Sequence, residues 1–252
     1  MKTLDRLIEI LCYERGEKPQ NCPEELKDNY FRALVNVRPP APLTADYTAL
    51  EGRYLAEKLS LRGIVDGDSL SYRNGIALWK GDITRLKCDG IVNAANSQLL
   101  GCFYPCHGCI DNAIHTFAGA GLRQECAQIM ARQGHEEPVG SAKITGAYNL
   151  PCKYVIHTVG PIVRGKLTSA HRRQLESCYE SCLSLAQERG LKSLAFCCIS
   201  TGEFNFPNEE AAHIAVGAAG RFIEGGGSIR IIFNVFKEVD YEIYSRLLAE
   251  CK

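Results

Sequence analysis

Four side chains that bind soft or borderline metal ions fall close together: Cys102, Cys106, His107 and Cys109. Thiolate and imidazole are the donors that zinc takes most readily. Spacing alone leaves several chemistries open. All four residues could close a structural site, or the thiols could stand free of metal. Three of them could hold a cation and leave one coordination position for water or a hydroxyl, which the metal would then polarise. Cys102, Cys106 and Cys109 also have the Cys-x3-Cys-x2-Cys spacing of radical enzymes built on an iron–sulfur cluster.

Two further segments carry polar groups where small ligands commonly bind. Gly81-Asp82-Ile83-Thr84 is followed by Ile91-Val92-Asn93-Ala94-Ala95-Asn96. An Asp at the carboxyl edge of a strand can accept from an exocyclic amino group. Ala94 and Ala95 permit close approach, and the Asn96 amide can bind sugar hydroxyls from both sides. Each piece alone is also an ordinary turn or cap. Ile199-Ser200-Thr201-Gly202-Glu203-Phe204-Asn205-Phe206-Pro207 reads as the exit of a buried strand into a helix. Such a turn can aim backbone N–H groups and a helix N-terminus at phosphates, or can simply connect the two elements.

The elements that must position these residues follow from hydrophobic periodicity. Residues 1 to about 65 read as helical, with Leu4, Leu7, Ile8 and Leu11 at helical spacing. Pro23-Glu24-Glu25 resembles a helix start before Phe31, Leu34 and Val35, and Thr44-Ala45-Asp46 a cap for a third helix ending near Gly63. From about residue 74, short apolar runs at 76–79, 91–92, 142–147, 154–159, 194–199 and 229–235 predict strands. Amphipathic stretches at 109–131, 168–189, 208–224 and 238–250 predict helices. The alternation implies an α/β domain with its sheet covered on both faces.

GDIT, IVNAAN, CIDNAIH, YVIHTVGP and STGEFNFPNEEAA occur in the order found in macrodomains, and the chain resembles that ADP-ribose-binding family over roughly residues 74–252. The resemblance implies a three-layer α/β/α macrodomain with a mixed central sheet over 71–252, preceded by a helical extension over 1–70. It places adenine against Asp82 and Ile83, with Phe236 as a stacking ring or else a core aromatic. The distal ribose would meet Asn96. The diphosphate would lie between the loop at 101–112 and Ser200, Thr201, Gly202, Glu203 and Phe204. Where most macrodomains carry a run of glycines, this chain has GCFYPCHGCIDNAIH, similar to the zinc-dependent subfamily, which also carries a helical extension. That likeness makes Cys102, His107 and Cys109 the ligands of one Zn2+ per chain and leaves Cys106 at a variable position. Asp111, at a helix start, would be a cap on residue type alone. Its place two residues from Cys109, where the family keeps an Asp near the distal ribose, implies a catalytic part with Asn96. His115 is expected to pack behind the ligands, and His157 to be structural.

The implied activity is hydrolysis of the bond between C1 of the distal ribose and a protein side chain, with an oxygen-linked acidic residue preferred by analogy. The alternatives are a reader that only binds ADP-ribose, and a hydrolase of small derivatives such as O-acetyl-ADP-ribose. By the same likeness, the substrate is a lipoyl-carrier protein modified by a sirtuin-like ADP-ribosyltransferase.

Composition bounds these readings. Lys plus Arg and Asp plus Glu each number 29, so no net positive field favours nucleic acid or an anionic membrane surface. The first twenty residues have charges spread among the apolar ones, unlike a signal peptide, and a cytoplasmic protein is expected. Thirteen cysteines cannot all pair within one chain, and a disulfide framework is not expected. Cys12, Cys197, Cys198 and Cys251 sit in apolar surroundings and are expected as buried thiols.

Overall fold

Three amphipathic helices come first, each with one apolar stripe to bury. Helix α1 (Thr3–Glu14) buries Leu7, Ile8, Leu11 and Cys12. Helix α2 (Lys27–Val37) buries Phe31, Leu34, Val35 and Asn36. The start expected at Pro23 is a 3-10 turn, Glu24–Leu26, and the α-helix proper follows it. Thr44 caps α3 (Ala45–Arg62) by accepting from the Tyr47 N–H, and Gly63 ends it with φ of 75°. The stripes meet in a core of their own, which Ala120 of the following domain completes. The computed structural model describes residues 2–250; Cys251 lies outside them.

A small parallel pair, β1 (Val65–Asp66) with β3 (Leu86–Lys87), joins the helical extension to the domain and is not evident from periodicity. Among the described residues, one sheet has six strands: β2 (Ile76–Lys80), β4 (Gly90–Ala95), β5 (Ala142–Gly146), β6 (Tyr154–Val159), β7 (Ser193–Phe196) and β8 (Arg230–Val235). The strand order is β2-β8-β7-β4-β6-β5. Neighbours are parallel except β5, which runs antiparallel to β6. The central strands β4, β6, β7 and β8 are buried nearly throughout, as their almost continuous apolar runs require. Helices α4 (Ile110–Ala118) and α5 (Ala120–Gln133) pack together, and α6 (Ser169–Glu188), α7 (Asn208–Glu224) and α8 (Glu238–Glu250) pack in series. The two groups complete the mixed-sheet α/β architecture.

Two expectations are corrected. The helix expected over 109–131 is broken at Gly119, whose φ is 91°; a Cβ there would lie 2.6 Å from Glu51 Oε2. The chain turns so that the buried Glu51 carboxylate can accept from the Ala120 N–H at 3.1 Å, tying α3 to the start of α5. The strand expected over 194–199 ends at Phe196, because the chain then turns toward Ser200, which adopts φ of 65°. Of the thiols expected to be buried, Cys12 and Cys197 are so, and Cys198 is half-buried.

Candidate active site

Because β2, β8, β7 and β4 are mutually parallel, their carboxyl ends lie along one edge of the sheet, the usual ligand edge of an α/β domain. Asp82 follows β2, Phe236 follows β8, Ser200–Phe204 follows β7 and Asn96 follows β4. Strand order therefore sets these groups out in a row, spanning three inter-strand steps or roughly 14 Å.

At the β4 end stands the cysteine–histidine cluster. The ligating atoms of Cys102, His107 and Cys109 all lie within 4.8 Å of one another, and Cys102 Sγ is 3.5 Å from His107 Nδ1. Cys109 is the N-cap of α4, its sulfur accepting from the Asn112 N–H at 3.4 Å. Asp111 is thus freed from capping, contrary to its residue-type reading. Burial pushes the Cys109 thiol up to about 12. Two thiols and one imidazole turned toward a common point fit a borderline-soft divalent cation, which would displace those protons. Cys106 faces elsewhere: it is exposed, and its thiol donates to Asn29 O at 3.3 Å. This geometry does not assemble the closed four-residue site or the three-cysteine cluster.

Beside the cluster, buried Asp111 has both oxygens engaged. Asn93 Nδ2 donates to Oδ1 at 2.8 Å, and Asn96 Nδ2 to Oδ2 at 3.4 Å. Burial raises its carboxyl to about 6, against the lowering effects of Asn93 and Arg123. Asn96 also donates to Gly101 O at 3.0 Å and accepts from the Gln98 N–H at 3.0 Å. Its Nδ2 is therefore committed to the loop and to Asp111, while Oδ1 keeps a lone pair for a ligand hydroxyl. Gly101 itself has φ of 80°, and a Cβ there would meet the His115 ring at 2.7 Å.

Behind Asp111 lies a layer that sequence reading missed. Asn93 and His157 are paired in register on β4 and β6, and Asn93 Nδ2 lies 3.2 Å from His157 Nδ1. Thr145 Oγ1 is 3.0 Å from His157 Nε2. An Asn inside an otherwise apolar buried run was the available signal. His157 is structural, as expected. His115 is buried, with Nε2 3.6 Å from Asp111 Oδ1. Burial lowers both imidazoles, His157 to about 4. Cys126, His115 and His157 also bring ligating atoms together, but both His157 nitrogens already have polar partners.

The family described as Macro domain matches residues 92–215. The "Protein-ADP-ribose hydrolase" of Treponema medium is 46% identical over 261 aligned positions, covering 99% of this chain and 100% of that one. The protein of the same description from Staphylococcus aureus (strain MRSA252) is 47% identical over 248, covering 96% of this chain and 93% of its own. The chain belongs to the macrodomain family. A solved structure, the Trypanosoma brucei macrodomain in complex with ADP-ribose, matches with a TM-score of 0.67 at 34% identity, covering 82% of this chain and 92% of that one.

The remaining groups of this macrodomain sit farther along the edge. Asp82 Oδ1 accepts from the Thr84 N–H at 2.9 Å, and Oδ2 from Arg62 of α3 at 3.0 Å. The Ile83 side chain is in the core, so only its backbone can meet a ligand. Phe236 is 76% exposed, which excludes the core-aromatic reading. Between these ends, the loop after β7 holds Ser200 at positive φ, with Phe206 N–H donating to Ser200 O at 3.0 Å and Asn205 N–H to Gly202 O at 3.1 Å. Glu203 Oε1 reaches to 3.5 Å from His107 Nε2, bringing the two expected diphosphate loops together. Helix α7 starts only at Asn208 and carries Glu209 and Glu210 in its first turn, ion-paired with Arg246 and Arg172. Its acidic N-terminus is unsuited to an anion, which leaves the backbone of 200–204 as this segment's candidate for phosphate contact.

Proposed function

We propose that this macrodomain is a zinc-dependent hydrolase that releases mono-ADP-ribose from modified proteins by cleaving the bond at C1 of the distal ribose. The observation that carries the reading is the convergence of Cys102, His107, Cys109 and Asp111 at the β4 end of the ligand edge. Relatives spanning nearly the whole chain are described as protein-ADP-ribose hydrolases, which supports the activity itself. Cys102, His107 and Cys109 would hold the zinc, which when bound supplies a Lewis acid for a ribose hydroxyl or the attacking water.

The chain's own residues divide the remaining work. Asp82 would share Oδ2 between Arg62 and the adenine amino group, and the exposed Phe236 ring would stack on the base. Backbone N–H groups of residues 200–204 would meet the diphosphate. Holding that remote portion fixes the anomeric carbon beside Asp111. Asn96 Oδ1 would hold a ribose hydroxyl. Asp111, kept in one orientation by Asn93 and Asn96, would position the water or accept its proton as positive charge develops on the sugar. With an acidic acceptor side chain, the leaving group is a carboxylate that departs without a proton, so one catalytic carboxyl suffices. A lipoyl-carrier protein modified by a sirtuin-like ADP-ribosyltransferase is the substrate to try first.

The test pairs ADP-ribose binding with release of ADP-ribose from a mono-ADP-ribosylated protein. Asp111→Ala is expected to bind ADP-ribose and to release it from protein at least about a hundredfold more slowly. Wild-type release by Asp111→Ala would remove Asp111 from the mechanism. Binding without release by the unaltered, zinc-loaded protein would make it a reader. Preferential turnover of O-acetyl-ADP-ribose in competition would move the substrate to small derivatives.

A further inference from the structure

The N-terminal helices reach the cysteine–histidine loop through specific polar side chains. Arg32 of α2 donates to the Asn112 Oδ1 through Nε at 3.1 Å and Nη2 at 2.7 Å, and Nη2 also donates to the His107 carbonyl at 2.9 Å. Asn112 is fully buried and is the hub of the loop: its Nδ2 donates to Tyr104 O at 3.0 Å and Cys102 O at 3.5 Å. Its backbone N–H donates to Cys109 Sγ at 3.4 Å. One guanidinium therefore touches the backbone of one donor residue directly, and reaches the other two through Asn112, whose side-chain amide meets Cys102 and whose backbone N–H meets Cys109. One turn farther along α2, buried Asn36 accepts from the Cys106 N–H at 2.9 Å and donates to Thr116 Oγ1 at 2.9 Å. Cys106 has φ of 54°, a left-handed conformation that a non-glycine residue keeps only when its surroundings hold it.

We infer that Arg32, assisted by Asn36, is a positioning residue for the metal-binding loop, and that α2 serves as a brace that fixes Cys102, His107 and Cys109 in donor geometry. The inference rests on the metal reading proposed above. It gives the helical extension a definite role, because a loop held by a separate element keeps its three donors arranged without drawing on the metal for that order. A guanidinium suits this role because its fixed fork can serve the Asn112 carbonyl oxygen and the His107 carbonyl together, which an ammonium on a flexible stem does poorly.

The experiment compares zinc-loaded wild type, Arg32→Ala, Arg32→Lys and Asn36→Ala. Zinc content is measured first, then the rate of zinc transfer to a chromogenic chelator. Leu7→Ala, which opens the extension's core from α1 and leaves the Arg32 and Asn36 side chains in place, serves as the control for general loosening. Arg32→Ala should lose zinc at least about tenfold faster than wild type, as removal of a group orienting a metal ligand commonly does. Arg32→Lys should recover only part of that loss, and Asn36→Ala should shift in the same direction. Leu7→Ala should retain zinc at nearly the wild-type rate despite a lower melting temperature. Equal release from wild type and Arg32→Ala would overturn the inference and leave the metal reading intact. So would equal acceleration in Leu7→Ala. A wild-type chain that takes up no zinc would overturn both.

Discussion

Replacing Asn93 with Ala isolates the layer that holds Asp111. One amide nitrogen donates to Asp111 Oδ1 at 2.8 Å and lies 3.2 Å from His157 Nδ1, and Asn93 and His157 have no exposed surface. Removal leaves a carboxylate oxygen and an imidazole nitrogen without their donor, in a place water does not reach readily. A hydrogen bond to a charged acceptor is worth about 1.5–3 kcal/mol and a neutral one about 0.5–1.5, so the expected loss is roughly 2–4 kcal/mol. In a chain of this size that lowers the melting temperature by roughly 5–15 °C. The Asp111 carboxylate then keeps only the longer bond from Asn96, and a misplaced catalytic group costs about a hundredfold in rate. The assays are urea unfolding at neutral pH and release of ADP-ribose from a modified protein, each against ADP-ribose affinity. Affinity should hold, since Asn93 lies beneath the ligand edge. A stability change below about 0.5 kcal/mol, or unaltered release, would refute the idea that Asn93 fixes Asp111.

Three other outcomes are expected. Burial lowers His157 to about 4 from an ordinary 6.5, so its native form stays neutral while the unfolded imidazole takes a proton. That stability is complete above pH 6.5 and falls by about 3 kcal/mol toward pH 4; comparing urea midpoints of wild type and His157→Asn across this window isolates it. Gly119→Ala should cost roughly 2 kcal/mol or more in thermal unfolding, through its positive φ and the encounter with Glu51. Phe236→Ala should leave stability unchanged, because the ring is exposed, yet weaken ADP-ribose binding about fivefold to a hundredfold by calorimetry if the ring stacks on adenine.

What was legible in the sequence follows the range of the interactions involved. The buried parallel strands, the Thr44 cap and the α6–α8 helices were readable because each depends on local periodicity or a single turn. The grouping of Cys102, His107 and Cys109 was readable through resemblance, since all three sit on one short loop. The break at Gly119 was hidden because a glycine within an amphipathic run is usually tolerated, and only the distant Glu51 requires the turn. Residue type alone does not reveal the cap at the start of α4: Asp is the commoner cap, while the structure uses the Cys109 sulfur and turns Asp111 toward two asparagines. Asn93–His157 and Arg32–His107 join residues 64 and 75 positions apart, a relation that one sequence does not display. The missed residues are those that orient the site, whereas the proposed ligand contacts stand on the strand ends that periodicity had located.

The most direct test is the time course of ADP-ribose release from a mono-ADP-ribosylated protein by the chain as purified, after chelation, and after zinc is restored. Release should disappear with the chelator and return with zinc, while ADP-ribose still binds throughout. Release that persists undiminished after the metal is removed would contradict a zinc-dependent hydrolysis.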